Sequence, residues 1–469
     1  MIPLPLRTLA DLAGGYLDAV PDVDRLVVGP VVADSRQVEP GALFVAIRGA
    51  RVDGHDFASA ALDAGAVAVL ADHPVGLPAI VVEDTVAALG RLARGYLDLL
   101  DHPTVIGITG SSGKTSTKDL AASVVARLGP TLAPAGSLNT EVGLPLTVLR
   151  ADRSTRYLVL EKSARGIGHI AYLCRIAPPQ IGIVLNVGSA HLGEFGSREA
   201  IARAKGELVE ALPADGTAVL NADDPLVAGM RSRTRARVVT FGVHRSADVR
   251  ALDVTLDATA RPSFRLHLPG FFPDTAPAPV TLNLTGVHHV SNALAVAAAS
   301  AVLGMHPEEI ASALAAAGPA SRWRMEVRTR PDGVTVINDA YNANPESMRA
   351  ALDALAAIAA RRRIAVLGGM AELGEASAIA HRELGAVVAR SSVHRLVAVG
   401  DDGKLIAEGA LEAGMDSVDH VTDAETAAAL LAPDLADGDV VLVKASRAFG
   451  LERVAARLLG EPAFGEGSA

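Results

Sequence analysis

The residues best suited to chemistry stand together at Thr109-Gly110-Ser111-Ser112-Gly113-Lys114-Thr115-Ser116. Backbone N–H groups in a Gly/Ser turn can converge on phosphate oxygens, and a helix N-terminus behind them adds partial positive charge. Glycine is needed where a side chain would collide with the phosphates. In that geometry Gly110, Ser111, Ser112 and Gly113 wrap the phosphates and Ser116 follows in the first helical turn. Lys114 reaches the β- and γ-phosphates, and the Thr115 hydroxyl serves Mg²⁺. The strict G-x-x-x-x-G-K-[ST] spacing is not met. Gly107 falls one position early and Ile108 stands where the first glycine belongs, but the Gly110-x-x-Gly113-Lys114-Thr115 core is intact. A Gly/Ser turn with an incidental lysine is the bland alternative.

The surroundings argue against it. A short β-rich run, Thr104–Thr109, leads into the loop and an amphipathic stretch from Lys114 to about Leu128 leads out. Strand, Gly-rich loop, helix is the context a phosphate loop requires. Further strand candidates are Tyr157–Glu161, Ile181–Val187 and Thr217–Asn221, and Ala293–Leu303 reads as a helix. Strands alternating with helices indicate an α/β fold with a parallel sheet. The Pro-rich stretch Pro269–Pro279 reads as a loop or hairpin connection.

At 469 residues the chain is too long for one core, and roughly three domains are expected. Residues 1–100 form a small α/β domain with strand candidates Leu26–Val32, Ala42–Ile47 and Ala66–Leu70 and helices Phe57–Ala64 and Val86–Leu100. Residues 101–318 form a central ATP-binding domain. Residues 319–469 form a Rossmann-like domain with strands Val334–Asn338, Arg363–Leu367, Arg395–Val399 and Asp439–Val443. Gly318-Pro319 is the expected hinge before it.

The net charge of −10 argues against a nucleic-acid partner. It also makes the local cations Lys114, Lys205, Arg324 and Lys444 notable. A single cysteine, Cys174, excludes an internal disulfide and fits a reducing compartment. No apolar run is long enough to span a membrane and no leader pattern opens the chain, so a cytoplasmic protein is expected. Glu161 ends a β-rich run near the phosphate loop, a natural position for a Mg²⁺ ligand; a solvated strand-end glutamate is the alternative.

Several further segments then fall into one order. They are Asn139-Thr140-Glu141-Val142-Gly143-Leu144-Pro145, Asn186-Val187-Gly188-Ser189-Ala190-His191, Ala204-Lys205-Gly206-Glu207, Asp339-Ala340-Tyr341-Asn342-Ala343-Asn344-Pro345, Met370-Ala371-Glu372-Leu373-Gly374 and Val443-Lys444-Ala445-Ser446-Arg447. Together they resemble the Mur ligases of peptidoglycan synthesis over nearly the whole chain. Tyr341–Pro345 and Met370–Gly374 match best those members that add D-Ala-D-Ala to UDP-MurNAc-tripeptide.

The resemblance implies a UDP-substrate domain, a central ATPase domain and a C-terminal ligase domain. It implies that ATP phosphorylates the peptide carboxylate and that the amine of D-Ala-D-Ala attacks the acyl-phosphate. It makes His191 a ligand of a second Mg²⁺ and Lys205 a carbamylated lysine, an N6-carboxylysine, bridging the metals. An unmodified lysine on phosphate and a solvated helical lysine are the alternatives for Lys205. Lys114, His191 and Lys205 become the catalytic set. Asn292 joins the adenine site, though Ser291 or Asn292 capping the Ala-rich helix explains it equally. Arg324 reaches ATP phosphates, a role suited to a permanently charged planar fork, and Asp339 binds the ribose or its neighbours. Asn139 lies in a substrate-binding segment, and Tyr341, Asn342 and Asn344 shape the peptide or nucleotide site. Lys444 and Arg447 either contact the D-Ala-D-Ala carboxylate or close the domain interface. Ser35 and Arg36 hold the UDP end. A monomer is expected. The sequence departs from the family pattern at Lys162, Ser163, His289, Asn338 and Gly369. The competing readings are another Mur-type or folylpolyglutamate-type ligase, and a nucleotide-binding regulator without catalysis.

Overall fold

A computed structural model describes residues 1–49, 52–188 and 192–461. Among the described residues, three larger β-sheets follow one another along the chain, beside one two-stranded sheet near the N-terminus. The N-terminal sheet has five strands, ordered Tyr16–Asp18, Ala79–Val81, Ala68–Ala71, Leu43–Val45 and Val31–Val32, all parallel except the first pairing. The run expected as one strand over Leu26–Val32 is two: Leu26–Val27 pairs with Leu4–Pro5, and Gly29-Pro30 intervenes before Val31–Val32. Proline has no N–H for a ladder, so the break falls there.

The central sheet has nine strands. Its parallel part runs Thr131–Leu132, Tyr157–Glu161, Thr104–Thr109, Ile181–Val184, Thr217–Asn221, Arg237–Gly242 and Val249–Leu256. Two antiparallel strands, Pro262–His267 and Ala278–Thr281, extend it, joined through the Pro-rich connection. Pro262 is the first residue of its strand and Pro279 lies on the edge strand, two positions where a missing N–H is tolerated. The strand expected to reach Val187 ends at Val184 and leaves Leu185–Gly188 free to meet the phosphate loop. Helices Lys114–Val125 and His288–Val302 pack against each other on one face, and Arg198–Glu210 covers the other.

The C-terminal sheet is ordered Glu326–Thr329, Thr335–Asn338, Asp439–Lys444, Arg362–Leu367, Arg395–Val399 and Val418–Val421, parallel except at its first strand. Helices on both faces make it doubly wound. No helix of the described residues is long and apolar enough to cross a membrane.

The packing between units is uneven. Leu6, Leu9, Leu89, Leu92, Ala93 and Tyr96 of the N-terminal unit share one continuous apolar core with Leu144, Val148, Leu158, Leu160 and Leu173 of the central one. Tyr96 donates its hydroxyl to Ala151 O at 2.5 Å across that seam. The C-terminal unit keeps its own cores on its two sheet faces and meets the central unit across a cleft.

Candidate active site

Strand Thr104–Thr109 is flanked on one side by Tyr157–Glu161 and on the other by Ile181–Val184. The strands that follow it in sequence lie first on one side and then, from Ile181–Val184, on the other, so its carboxyl end is a switch point where α/β sheets bind ligands. The loop Gly110–Gly113 turns there. Gly113 caps helix Lys114–Val125 at φ +78°, and a Cβ on it would stand 2.7 Å from Asn292 Oδ1. Only glycine satisfies both the left-handed backbone and that approach. Gly107 serves another purpose: it sits inside the strand, where a Cβ would meet Lys162 Cε at 3.1 Å.

The loop is braced from below by Asn186. Its Oδ1 accepts from Ser111 N at 3.0 Å and Ser112 N at 2.9 Å, and its Nδ2 donates to Ser112 O at 3.3 Å. Ser111 Oγ accepts from Gly188 N at 2.9 Å. Lys114 folds over the loop and donates to Gly110 O at 2.8 Å. Burial lowers the Lys114 pKa from its usual value; Arg324 adds to this while Glu161 and Glu372 oppose it.

Glu161 is buried at the end of its strand. Asn139 Nδ2 donates to its Oε2 at 3.0 Å, while its Oε1 is buried without a hydrogen-bond partner among the described residues. A carboxylate oxygen in that state is costly unless a cation or donor completes it. The next residue, Lys162, points through the opposite sheet face and donates to Leu173 O at 3.0 Å and Ala177 O at 2.9 Å. Those carbonyls end helix His169–Ile176, where a cation is favoured. Ser163 donates its N–H to Asn139 O at 3.2 Å.

Lys205 is buried on helix Arg198–Glu210 and makes no hydrogen bond or ion pair among the described residues. Burial, and then the nearby Lys114 charge, hold its pKa well below that of an ordinary lysine. Two residues on, Glu207 accepts from Gly168 N at 2.5 Å and Ala171 N at 2.9 Å, capping helix His169–Ile176. His191 lies outside the described residues.

A cleft of about 550 Å³ separates the central and C-terminal units. From the central side it is lined by Ser111–Ser116, Asn139, Glu161 and Asn292, and from the C-terminal side by Arg324, Asp339, Tyr341, Asn342, Asn344, Lys444 and Arg447. Ser35 and Arg36 are not in its walls. They start a short 3-10 turn on the N-terminal unit, where Asp34 fixes Arg36 through Nε at 2.9 Å and NH2 at 2.7 Å. Lys205 lies behind the cleft wall rather than in it, close enough to Lys114 for mutual repulsion.

Across the cleft, Arg324 stacks over Tyr341 at 4.3 Å, and the Tyr341 hydroxyl bonds Ser137 of the central unit. Arg324 stands between Trp323 at φ +58° and Met325 at φ +49°. These two departures into the left-handed region, one on each side of Arg324, each cost ~1–3 kcal/mol. Lys444 is buried, donating to Asp339 Oδ2 at 2.5 Å and Asn342 O at 2.8 Å; Asp339 Oδ1 accepts from Met325 N at 3.0 Å. Arg447 stacks on Trp323 at 4.1 Å and pairs with Glu452 at 2.5 Å. The Asn344 side-chain oxygen caps helix Pro345–Ala357 through Ser347 N at 2.8 Å.

The helix carrying Asn292 begins at His288, five residues before the apolar run suggests. His288 and His289 lie with ring centres 4.2 Å apart, and His289 Nδ1 is 3.4 Å from Asn292 Nδ2. Burial pushes the His288 pKa down to about 4, Lys444 adding to the shift and Asp339 opposing it. Burial and His288 also push His289 well below the ordinary histidine range. Of the other departures, Asn338 accepts from Ala340 N at 3.3 Å. Gly369 tolerates no side chain, since a Cβ would stand 2.2 Å from the Phe449 ring. Sequence reasoning gave no role to Asn186, Glu207 or Arg165. Asn186 alone had a signal, its place just after a strand in the Asn186–His191 segment.

The chain matches the Mur ligase middle domain over residues 108–300, the Mur ligase glutamate ligase domain over 323–447, and the Mur ligase family catalytic domain over 29–96. It is 49% identical to the UDP-N-acetylmuramoyl-tripeptide–D-alanyl-D-alanine ligase of Mycobacterium tuberculosis H37Rv, covering 99% of each chain. Its fold matches a crystal structure of MurF from Acinetobacter baumannii with TM-score 0.88 and 31% identity, over 98% of this chain and 99% of that one. It also matches MurF from Thermotoga maritima in complex with ADP, with TM-score 0.81 and 32% identity, over 93% and 98%. With a phosphate loop, a buried carboxylate and a cleft between two α/β units already in place, these likenesses have one reading: the chain belongs to the Mur ligase family.

Proposed function

We propose that this protein is a cytoplasmic ATP-dependent ligase that joins D-Ala-D-Ala to UDP-MurNAc-tripeptide, giving UDP-MurNAc-pentapeptide, ADP and phosphate in peptidoglycan synthesis. Full-length likeness to ligases of that name supports the substrates. The observation that carries the chemistry is the unpartnered Glu161 Oε1 beside the braced phosphate loop. A carboxylate substrate and the ATP tail repel each other, and cations must bring them together.

The residues present fit Mg²⁺. Glu161 supplies a hard oxygen with no other partner among the described residues, and Thr115 supplies a hydroxyl at the first helical turn. His191 completes the set in this reading. When bound, the metal would neutralise phosphate charge. Lys114 and Arg324 add fixed cations on either side of the cleft. Lys205 suits carbamylation: its pKa is held low, so a larger share of its amine is neutral, and only the neutral amine attacks CO₂. The new N–C bond forms as one proton leaves, and the resulting carboxylate would supply oxygen ligands to a bound metal.

In the two half-reactions, the peptide carboxylate oxygen attacks the γ-phosphorus and ADP leaves. The D-Ala-D-Ala amine, in its neutral form, then attacks the acyl carbon; a C–N bond forms, the C–O bond to phosphate breaks, and the nitrogen's extra proton leaves with the departing phosphate. Residues 1–100 hold the UDP end through Ser35 and Arg36, residues 101–318 bind ATP with Asn292 at the base, and residues 319–469 bring Arg324, Asp339, Lys444 and Arg447. Substrate-dependent ADP release tests the reading. Turnover is expected with UDP-MurNAc-tripeptide and D-Ala-D-Ala together; turnover only with a different amino acid or acceptor would replace it by another Mur-type or folylpolyglutamate-type ligase.

A further inference from the structure

The strand ending in Glu161 runs directly into a loop, residues 162–168, before helix His169–Ile176. This loop is fastened along its length. Ser163 N donates to Asn139 O at 3.2 Å, Gly168 N donates to Glu207 Oε1 at 2.5 Å, and Arg165 N donates to His169 Nδ1 at 3.4 Å. It therefore holds its shape without a ligand, and it presents Arg165 and His169 on the cleft wall near Glu161.

The cleft's other cations are committed. Lys114 donates to Gly110 O, Lys444 to Asp339, Arg447 pairs with Glu452, and Arg324 stacks on Tyr341. The exposed Arg165 guanidinium makes no hydrogen bond or ion pair among the described residues. Its position is also directional. Helix His169–Ile176 packs on helix Thr85–Leu97 of the N-terminal unit. In the ligase reading, this loop lies on the side of the cleft that faces the N-terminal unit, toward which the rest of the substrate extends.

We infer that Arg165, with His169 beside it, is a subsite for a carboxylate of the bound peptide other than the one that is phosphorylated. This rests on the ligase reading above. A guanidinium fork matches a carboxylate in shape as well as charge, which a point cation does not. The rigid loop would then place the reacting carboxylate by holding its neighbour, and the enzyme would favour peptides acidic at that second position.

Steady-state kinetics of the full-length enzyme test this with UDP-MurNAc-tripeptide and an analogue whose non-reacting peptide carboxylates are primary amides. Arg165→Gln is expected to raise KM for the natural substrate about tenfold, ~1.4 kcal/mol, with KM for ATP within about twofold; Arg165→Lys falls between. The amidated analogue is expected to cost the wild type the same factor and to cost Arg165→Gln nothing further. An unchanged KM in Arg165→Gln, or an equal amide penalty in both proteins, would overturn the subsite while leaving the ligase reading intact. A wild-type enzyme that does not turn over UDP-MurNAc-tripeptide would overturn both.

Discussion

The Oδ1 atom of Asn186 lies 2.9 Å from the Ser112 backbone nitrogen and is the acceptor that sets the curvature of the phosphate loop. The same atom takes the Ser111 N–H at 3.0 Å, so one side chain organises two consecutive peptide groups. A loop shaped before its ligand arrives loses less entropy on binding.

Asn186→Ala should therefore weaken nucleotide binding more than chemistry. Each neutral hydrogen bond contributes ~0.5–1.5 kcal/mol, so KM for ATP is expected to rise about tenfold, with a smaller change in kcat. Calorimetric titration with ADP measures the same loss without turnover. Unaltered ADP affinity would mean that the loop holds its shape by other contacts.

The proposed carbamylation of Lys205 predicts a gas-dependent activity. With its amine held well below the usual lysine pKa and unpaired among the described residues, carbamylation should depend on dissolved CO₂. Enzyme in CO₂-stripped buffer is expected to lose most of its activity and regain it with bicarbonate. Labelled bicarbonate should give a carbamate signal in carbon NMR of the wild type that Lys205→Ala lacks. Full activity without CO₂, with no such signal, would favour an unmodified lysine facing phosphate.

The histidine pair makes stability pH-dependent in a defined window. His288 has its pKa lowered from 6.5 to about 4 by burial, so folding favours its neutral form. That contribution is present above pH 6.5 and is lost as pH falls toward 4. At ~1.36 kcal/mol per unit it amounts to at most about 3 kcal/mol, because the ring edge keeps some solvent contact. Urea unfolding of wild type and His288→Asn should converge as pH falls through this window. Parallel curves would show that the ring is not desolvated.

Much of this was readable in the residues. Thr104–Thr109 and Tyr157–Glu161 have the bounds the sequence suggests, because β-branched and leucine runs buried on both faces carry no ambiguity. Val249–Leu256 escaped notice because it alternates charged and apolar residues and breaks register between Leu252 and Thr255. The short helix Leu6–Ala13 was also missed; its apolar face is explained only by the core it joins. At the site, the phosphate loop and the strand-end Glu161 were visible as local patterns. Arg165 was not, since an arginine's significance depends on which other cations already have partners, and that is a property of the folded neighbourhood. Gly369 stood out only as a departure from the family pattern, whereas Phe449 packs where any side chain would go.

The apolar seam that joins Leu89, Leu92 and Tyr96 to Leu144, Val148 and Leu158 has a consequence for how the protein can be taken apart. The first hundred residues are not a detachable module: cut away, they would expose one side of a core they only half own. Calorimetry should resolve two melting units, the first and central units together and the C-terminal one separately, rather than three. A chimaera that exchanges the first unit between relatives should carry the middle unit with it, so in evolution these two thirds of the chain are expected to diverge as one piece.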